Sequence, residues 1–327
     1  MIAASPWSSP AIATSGTDMN HGAAYVLQQL LNTAQLASFY VPLSVSFALI
    51  QAITRRVFLS FGEFAMFGSF AAVYVCFGRL LQGDSDLAAA LFSLAAAMAC
   101  AGALGFVAAR QVFVPLVQTS ALAFMIAGLG LSIALEELMR LSTQARDIWI
   151  PPLFQGQSIS LAEGDFPVHI TANSIFATSI AFGSVLLLVG LARFTQFGRA
   201  WAACTQNPKL AMLCGVNTRR VMELTFTLGT ALSAVSGWMA AITYGGTNFS
   251  VGIMLGFKAM FAAVAGGFGN VRGAVLGAIS LAAMEVAWSA AFGTTYRDVG
   301  VFSVIILVLL LKPEGLSGDA SYRESES

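Results

Sequence analysis

Between Ala172 and Ala192 the chain reads ANSIFATSIAFGSVLLLVGLA, twenty-one residues without a charge. About 20 mostly apolar residues on a helix cross the hydrocarbon of a bilayer. Comparable runs recur along the chain, near 26–51, 57–81, 87–109, 120–141, 172–192, 221–244, 256–268, 274–292 and 299–311. Two of them, 256–268 and 299–311, are short enough to be re-entrant or half-helices. Only 10% of the 327 residues are charged, against about 25% in soluble domains, so lipid must solvate the outside. The pattern predicts an all-α, polytopic integral membrane protein with about 8–10 transmembrane or half-spanning helices. It forms one domain over 25–316, after a disordered lead-in at 1–24 and before a tail at 317–327. The lead-in lacks the basic n-region of a cleaved signal peptide.

The cations set an expected orientation. Residues 193–220, RFTQFGRAWAACTQNPKLAMLCGVNTRR, carry Arg193, Arg199, Lys209, Arg219 and Arg220 and no acidic residue. Placing this loop in the cytoplasm also puts Arg55, Arg56, Arg110, Arg272, Lys312 and Arg323 inside, as the positive-inside rule requires. Arg79, Arg140, Arg146 and Arg297 then lie outside, and Lys258 within a span. The N-terminus is expected to be periplasmic, the C-terminus cytoplasmic, and the 142–171 loop outward-facing. Arg146, Asp147, Glu163 and Asp165 in that loop are expected either to help seat a partner or simply to be solvated.

The basic loop has more structure than a charge rule demands. RAWAACTQ follows Gly198 with no helix breaker. Asn207–Pro208 then offers an N-cap followed by proline at the first helical position. Gly215 suits the left-handed residue that ends a helix, and Asn217 and Thr218 can cap the next span. Two short helices are therefore expected, the second showing Leu210, Leu213 and Cys214 on one side. An apolar side on so short a helix becomes useful in the groove of another protein.

The segment GRAWAACTQNPKLAMLCGVNTRRVMELTF, Gly198 to Phe226, resembles the cytosolic loop of high-affinity branched-chain amino acid ABC importer permeases of the LivH type. The resemblance lies in Gly198–Ala200, Ala203–Cys204, Gly215–Thr218 and Arg220–Val221. FKAMFAAVAGGFGNVRGAVLGAI (257–279) and TTYRDVGVFSVIILVLLLKPEGL (294–316) match in the same way, and PPLFQGQ (151–157) more weakly. The resemblance implies a permease that pairs with a second, related permease. Two ATP-binding subunits sit beneath the pair, and a periplasmic solute-binding protein delivers the solute. It implies that the basic loop couples ATPase closure to the membrane helices, through Arg199, Trp201, Lys209, Leu210, Leu213 and Gly215. ATP and magnesium would belong to the partner subunits, with no cofactor and no metal in this chain. Before the second span the family shows Asn-Phe-Ala-His-Gly-Glu. Phe58 to Glu63 stand there instead, keeping Gly62–Glu63 and lacking the Asn and the His. That departure bears on the solute more than on the permease reading.

Gly269, Gly273 and Gly277 in GNVRGAVLG are expected on one helix face, for helix packing. Gly266 and Gly267 before them suggest a helix that breaks and resumes, either for packing alone or to line a pathway. Glu63, Lys258 and Glu285 are charges within spans, which should face a pathway or a partner charge. Those three residues with Gly266 and Gly267 form the expected translocation pathway, and a Glu63–Lys258 pair is conceivable. Cys76, Cys100, Cys204 and Cys214 form no CxxC, and His21 and His169 lie far from them. No HExxH occurs, and GFGNVRG lacks the Lys and Ser or Thr of a phosphate-cradling loop. With no HExxH and no His within a span, no enzyme is expected, and at zero net charge no nucleic-acid binder. The solute is expected to be a branched-chain or related amino acid. Urea or short amides in the same importer class, or an ion-coupled secondary transporter, are the alternatives.

Overall fold

The structure, a computed structural model, describes residues 17–311 apart from 118, 152, 154–157, 163–167 and 268. The tail at 317–327, Lys312, Arg323, Glu163, Asp165 and most of PPLFQGQ lie outside the described residues. Nine helices stand where the nine apolar runs were expected. α1 (Thr17–Thr54), α2 (Phe61–Leu81), α3 (Asp86–Ala108), a short α4 (Val114–Leu116) and α5 (Ala121–Ser142) form the first half. A π-turn at Ala109–Phe113 joins α3 to α4. After β1 (Ile148–Trp149), β2 (Ser158–Ala162) and β3 (Val168–Thr171) come α6 (Ala172–Phe194), α7 (Gln196–Gln206) and α8 (Pro208–Leu213). α9 (Thr218–Tyr244), β4 (Gly246–Thr247), α10 (Val251–Gly266), α11 (Val271–Phe292) and α12 (Arg297–Leu311) complete the chain. Seven helices are long and apolar enough to cross a membrane, and α10 and α12 are shorter.

Local chemistry starts these helices. Ser85 and Ser120 accept from the amides of Ala88 and Ala123 at the heads of α3 and α5. Asn270 does the same for Arg272 and Gly273 at the head of α11. Such caps satisfy amides that the first turn leaves open. α1 starts at Thr17, inside the segment expected to be a disordered lead-in, because no proline interrupts the chain between there and Pro42. α10 starts at Val251, five residues before the expected span, so Lys258 lies inside the helix rather than at its head.

α1 and α9 are the most buried spans and form the centre. α9 packs on α1, α2, α3 and α6, and α1 packs on α6, α10 and α11. α5 and α6 turn Leu122, Ile126, Ile133, Leu186 and Leu187 outward, as a lipid-facing ring does. Very close helix approaches hold the inner set together. A Cβ on Gly62 of α2 would run into the Gly252 carbonyl of α10, and one on Gly237 of α9 into the Ala65 carbonyl of α2. Gly266 of α10 and Gly273 of α11 meet in the same way. With no hydrophobic drive between helices in lipid, dispersion at such contacts supplies the attraction.

The expected Gly269–Gly273–Gly277 face is corrected by the structure. Gly273 and Gly277 lie on α11 against α10, but Gly269 precedes the helix with φ +70°. Asn270 caps α11, so the helix cannot begin earlier, and Gly269 turns the chain beside Ala52 of α1. The 142–171 segment supplies β1, which pairs antiparallel with β4, Ile148 opposite Thr247 and Trp149 opposite Gly246.

Gly62→Ala is expected to lower the stability of the purified protein by about 1–3 kcal/mol, since its methyl meets backbone that cannot withdraw. Gly78→Ala, with open space around it, should be neutral or slightly stabilising. Melting curves in one detergent, read side by side, check the contrast.

Candidate functional site

Two features at opposite ends of the bundle carry the functional chemistry. At one end α7 and α8 lie beside the foot of α1. Thr195 accepts from the Gly198 amide at the head of α7. Asn207 accepts from the amides of Lys209 and Leu210, with Pro208 at the first position of α8. Gly215, at φ +84°, ends α8, and Asn217 caps α9. α8 buries Ala211 against the body and leaves Leu210 58% and Leu213 84% exposed, with Met212 and Cys214 also outward. Arg193, Arg199, Lys209, Arg219 and Arg220 are all exposed around it.

Trp201 faces the other way. Its Nε1 donates to the Leu49 carbonyl of α1 at 3.4 Å. The Arg55 guanidinium, just past the end of α1, donates to the carbonyls of Thr205 and Gln206 at 3.0 and 3.1 Å. Arg55 closes the C-terminal end of α7 as a cation should. These contacts fasten the α7–α8 element to α1 and leave its far side open. Trp201 is thus an inward anchor rather than part of the exposed face.

At the other end lies a buried charge cluster. Lys258 of α10 is 3% exposed. Its Nζ is 2.9 Å from Glu285 Oε1 of α11 and 2.9 Å from Asp298 Oδ1 of α12, and it donates to the Tyr40 hydroxyl of α1 at 3.2 Å. The Tyr40 hydroxyl donates in turn to both Glu285 oxygens, at 3.0 and 3.1 Å. Arg297 Nε stands 3.6 Å from Glu285 and from Asp298, beyond good hydrogen-bond reach. One largely buried lysine thus ties four helices together.

Two cavities meet this cluster. The first, of about 530 Å³, is lined by Tyr40, Lys258 and Arg297 with Leu36, Phe39 and Met254, and opens toward Asp147 and Trp149. The second, of about 560 Å³, is more polar and reaches Gln29, Asn32, Gln35, Glu285 and Arg297. Arg297 and the stacked pair Phe39–Tyr244 border both.

The five expected pathway residues separate here. Lys258 and Glu285 line the cavities. Gly266 and Gly267 end α10 against α11 and line neither. Glu63 is buried and also lines neither. Its Oε1 accepts from Ser132 of α5 at 3.0 Å, beside Gly252. The conceivable Glu63–Lys258 pair is not formed, because Glu285 and Asp298 already hold the lysine. Sequence reasoning missed Tyr40, Asp298 and Arg297. Arg297 is expected only to lie on the outer side, and its side chain turns from the head of α12 toward the cluster.

The chain matches the family described as branched-chain amino acid transport system permease component over residues 29–311. The high-affinity branched-chain amino acid transport system permease protein LivH of Salmonella typhimurium is 34% identical over 295 residues, 90% of this chain and 96% of that one. LivH of Escherichia coli K12 is 33% identical over the same shares, and BraD of Pseudomonas aeruginosa 32% over 298 residues. The chain belongs to this permease family. It is a membrane-embedded transport subunit that works within an ABC transporter assembly.

Lys258→Met is expected to destabilise the protein by about 3–5 kcal/mol, because it strands the buried Glu285 carboxylate and takes the main partner of the half-buried Asp298. Adding Glu285→Gln and Asp298→Asn should restore much of that loss. The comparison of three melting temperatures checks whether the lysine acts through these two partners.

Proposed function

We propose that the chain imports branched-chain or related amino acids across the bacterial inner membrane by ATP-driven alternating access. A second, related permease completes the pathway. Two ATP-binding subunits, holding ATP and magnesium, drive it, and a periplasmic solute-binding protein delivers the solute. Chemistry on ATP then takes place on other chains, and this one moves.

The observation that carries the reading is the α7–α8 element. An exposed apolar edge ringed by cations is a poor surface to leave in water and a good one to seat in a groove. Its other side is bound to α1 through Trp201 and Arg55. A push from a partner on Leu210 and Leu213 therefore reaches a central helix. The substrate class is supported by the relatives named above, which are branched-chain amino acid permeases. Residues 142–151, at the opposite end, offer a surface for the solute-binding protein.

The basic end faces the cytoplasm in this reading. Arg55, Arg56, Arg110, Arg272 and the five cations of the α7–α8 segment share that end, as the order of helices requires. α1 then enters from the periplasm, and the end of α12 is cytoplasmic.

Replacing both Leu210 and Leu213 with Asp should leave ATP hydrolysis by the assembled complex running while leucine uptake falls at least roughly tenfold, the scale of a lost interface anchor. Uptake equal to wild type would remove α8 as the docking face. Orientation has an independent test in the native chain, since Cys214 is exposed while Cys76 and Cys204 are buried. With the chain produced without its ATP-binding subunits, a membrane-impermeant maleimide should label Cys214 in inside-out vesicles and not in spheroplasts. The reverse pattern would invert the topology.

A further inference from the structure

We propose that the cavity between α1, α9, α10 and the head of α12 binds a free α-amino acid with an apolar side chain. Arg297 holds its carboxylate and Asp147 its ammonium. The inference rests on the transport reading above and gives it a place in this chain.

The cavity has two chemically different sides. Leu36, Phe39, Val251, Met254 and Leu255 form an apolar wall. Lys258, Arg297 and Asp147 bring charge to the rest. Its volume, about 530 Å³, falls within the roughly 300–1,000 Å³ usual for small-molecule sites. An apolar wall with a few charged groups suits a small ligand that is charged at one end and greasy at the other.

The partners of each charge decide which group meets the ligand. An ammonium has three donors. Those of Lys258 are taken by Glu285, Asp298 and Tyr40. Lys258 is therefore a positioning residue, with no donor left over. Glu285 and Asp298 are committed to it in turn. Arg297 is held more loosely, by two long ion pairs to the same carboxylates. Its Nε has no hydrogen bond and sits 3.6 Å from each carboxylate. Its planar fork matches a carboxylate in two parallel bonds, which a lysine cannot offer.

Asp147 supplies the complementary charge. It is exposed, directly precedes β1, and makes no ion pair among the described residues. The β1–β4 pairing holds this end of the segment over the cavity. One loosely held cation and one carboxylate without an ion pair among the described residues, on the same cavity, are the mirror of a zwitterion. Urea or a short amide would leave both charges without a counter-charge. A fatty acid would satisfy only the arginine.

The test uses the complete transport complex in nanodiscs, without its soluble binding protein, and carbon-14 leucine as the probe. Wild type should retain leucine, with isoleucine and valine competing. Leucinol, lacking the carboxylate, and N-acetylleucine, lacking the ammonium, should compete poorly. Arg297→Gln should weaken retention roughly tenfold or more, the size expected for a lost charge-assisted contact. Asp147→Asn should weaken leucine and narrow its lead over N-acetylleucine, a change of preference that a loss of folding would not produce. Met254→Trp fills the apolar wall away from the ion pairs, so it decides the matter if Arg297→Gln assembles poorly. Equal retention by wild type, Arg297→Gln and Met254→Trp would overturn the assignment, and so would leucinol competing as well as leucine. Uptake into proteoliposomes with the binding protein separates the two levels. If wild type accumulates leucine and the variants match it, the cavity assignment falls alone. If wild type accumulates none of leucine, isoleucine and valine, the transport reading falls and the assignment with it.

Discussion

A cation removed from water dictates the arrangement of one whole end of this protein. Lys258 sits on a 16-residue helix between neighbours that are almost all apolar. Desolvating an ammonium costs several kcal/mol, and only close, well-directed counter-charges offset that. Glu285 and Asp298 provide them, and the Tyr40 hydroxyl fills the remaining donor. Each partner comes from a different helix. Moving any of α1, α10, α11 or α12 breaks one of the contacts that offset the desolvation of Lys258. The cluster therefore holds the cavities in shape, and it leaves Arg297 as the least satisfied charge there.

The short helices α10 and α12 belong to that same arrangement. Too short to span with margin, they carry Lys258 and Asp298 between them and border the cavities. α10 is held by backbone-close contacts, through Gly252 and Gly256 to Gly62 on α2 and through Gly266 to Gly273 on α11. Side chains larger than hydrogen there would push α10 outward and pull Lys258 from its carboxylates. Packing at the glycines and charge pairing at the lysine thus depend on each other. Polar chemistry collects inside the bundle, while the outward faces of α5 and α6 are mostly apolar.

The spans, the caps and the two short helices of the basic loop were legible because each is a local property. Hydrophobic run length, Asn207–Pro208 and Gly215 act within a few residues. The family was legible too, since whole blocks such as 257–279 carry it. The partners of Lys258 were not, because Glu285 lies 27 residues and Asp298 40 residues further along, with no period linking them. Nothing beside Arg297, in Thr294, Thr295 and Tyr296, marks it as a cluster residue, and only the return of α12 against α11 brings it to Glu285. Gly269 misled for the opposite reason. Its spacing fits a helical stripe, but Asn270 starts the helix one residue later.

α1 joins the two ends. It carries Tyr40 at the charge cluster and offers the Leu49 carbonyl to Trp201, nine residues on, roughly 13 Å along the axis. Pro42 lies between them. Proline has no amide to give the carbonyl four residues earlier, and its ring crowds that turn. The rod is therefore softest beside the cavity and stiff from there to the α7 anchor. In the proposed cycle a push at the α7 anchor would therefore bend α1 most easily at Ser38–Pro42, where the tyrosine holding the lysine sits.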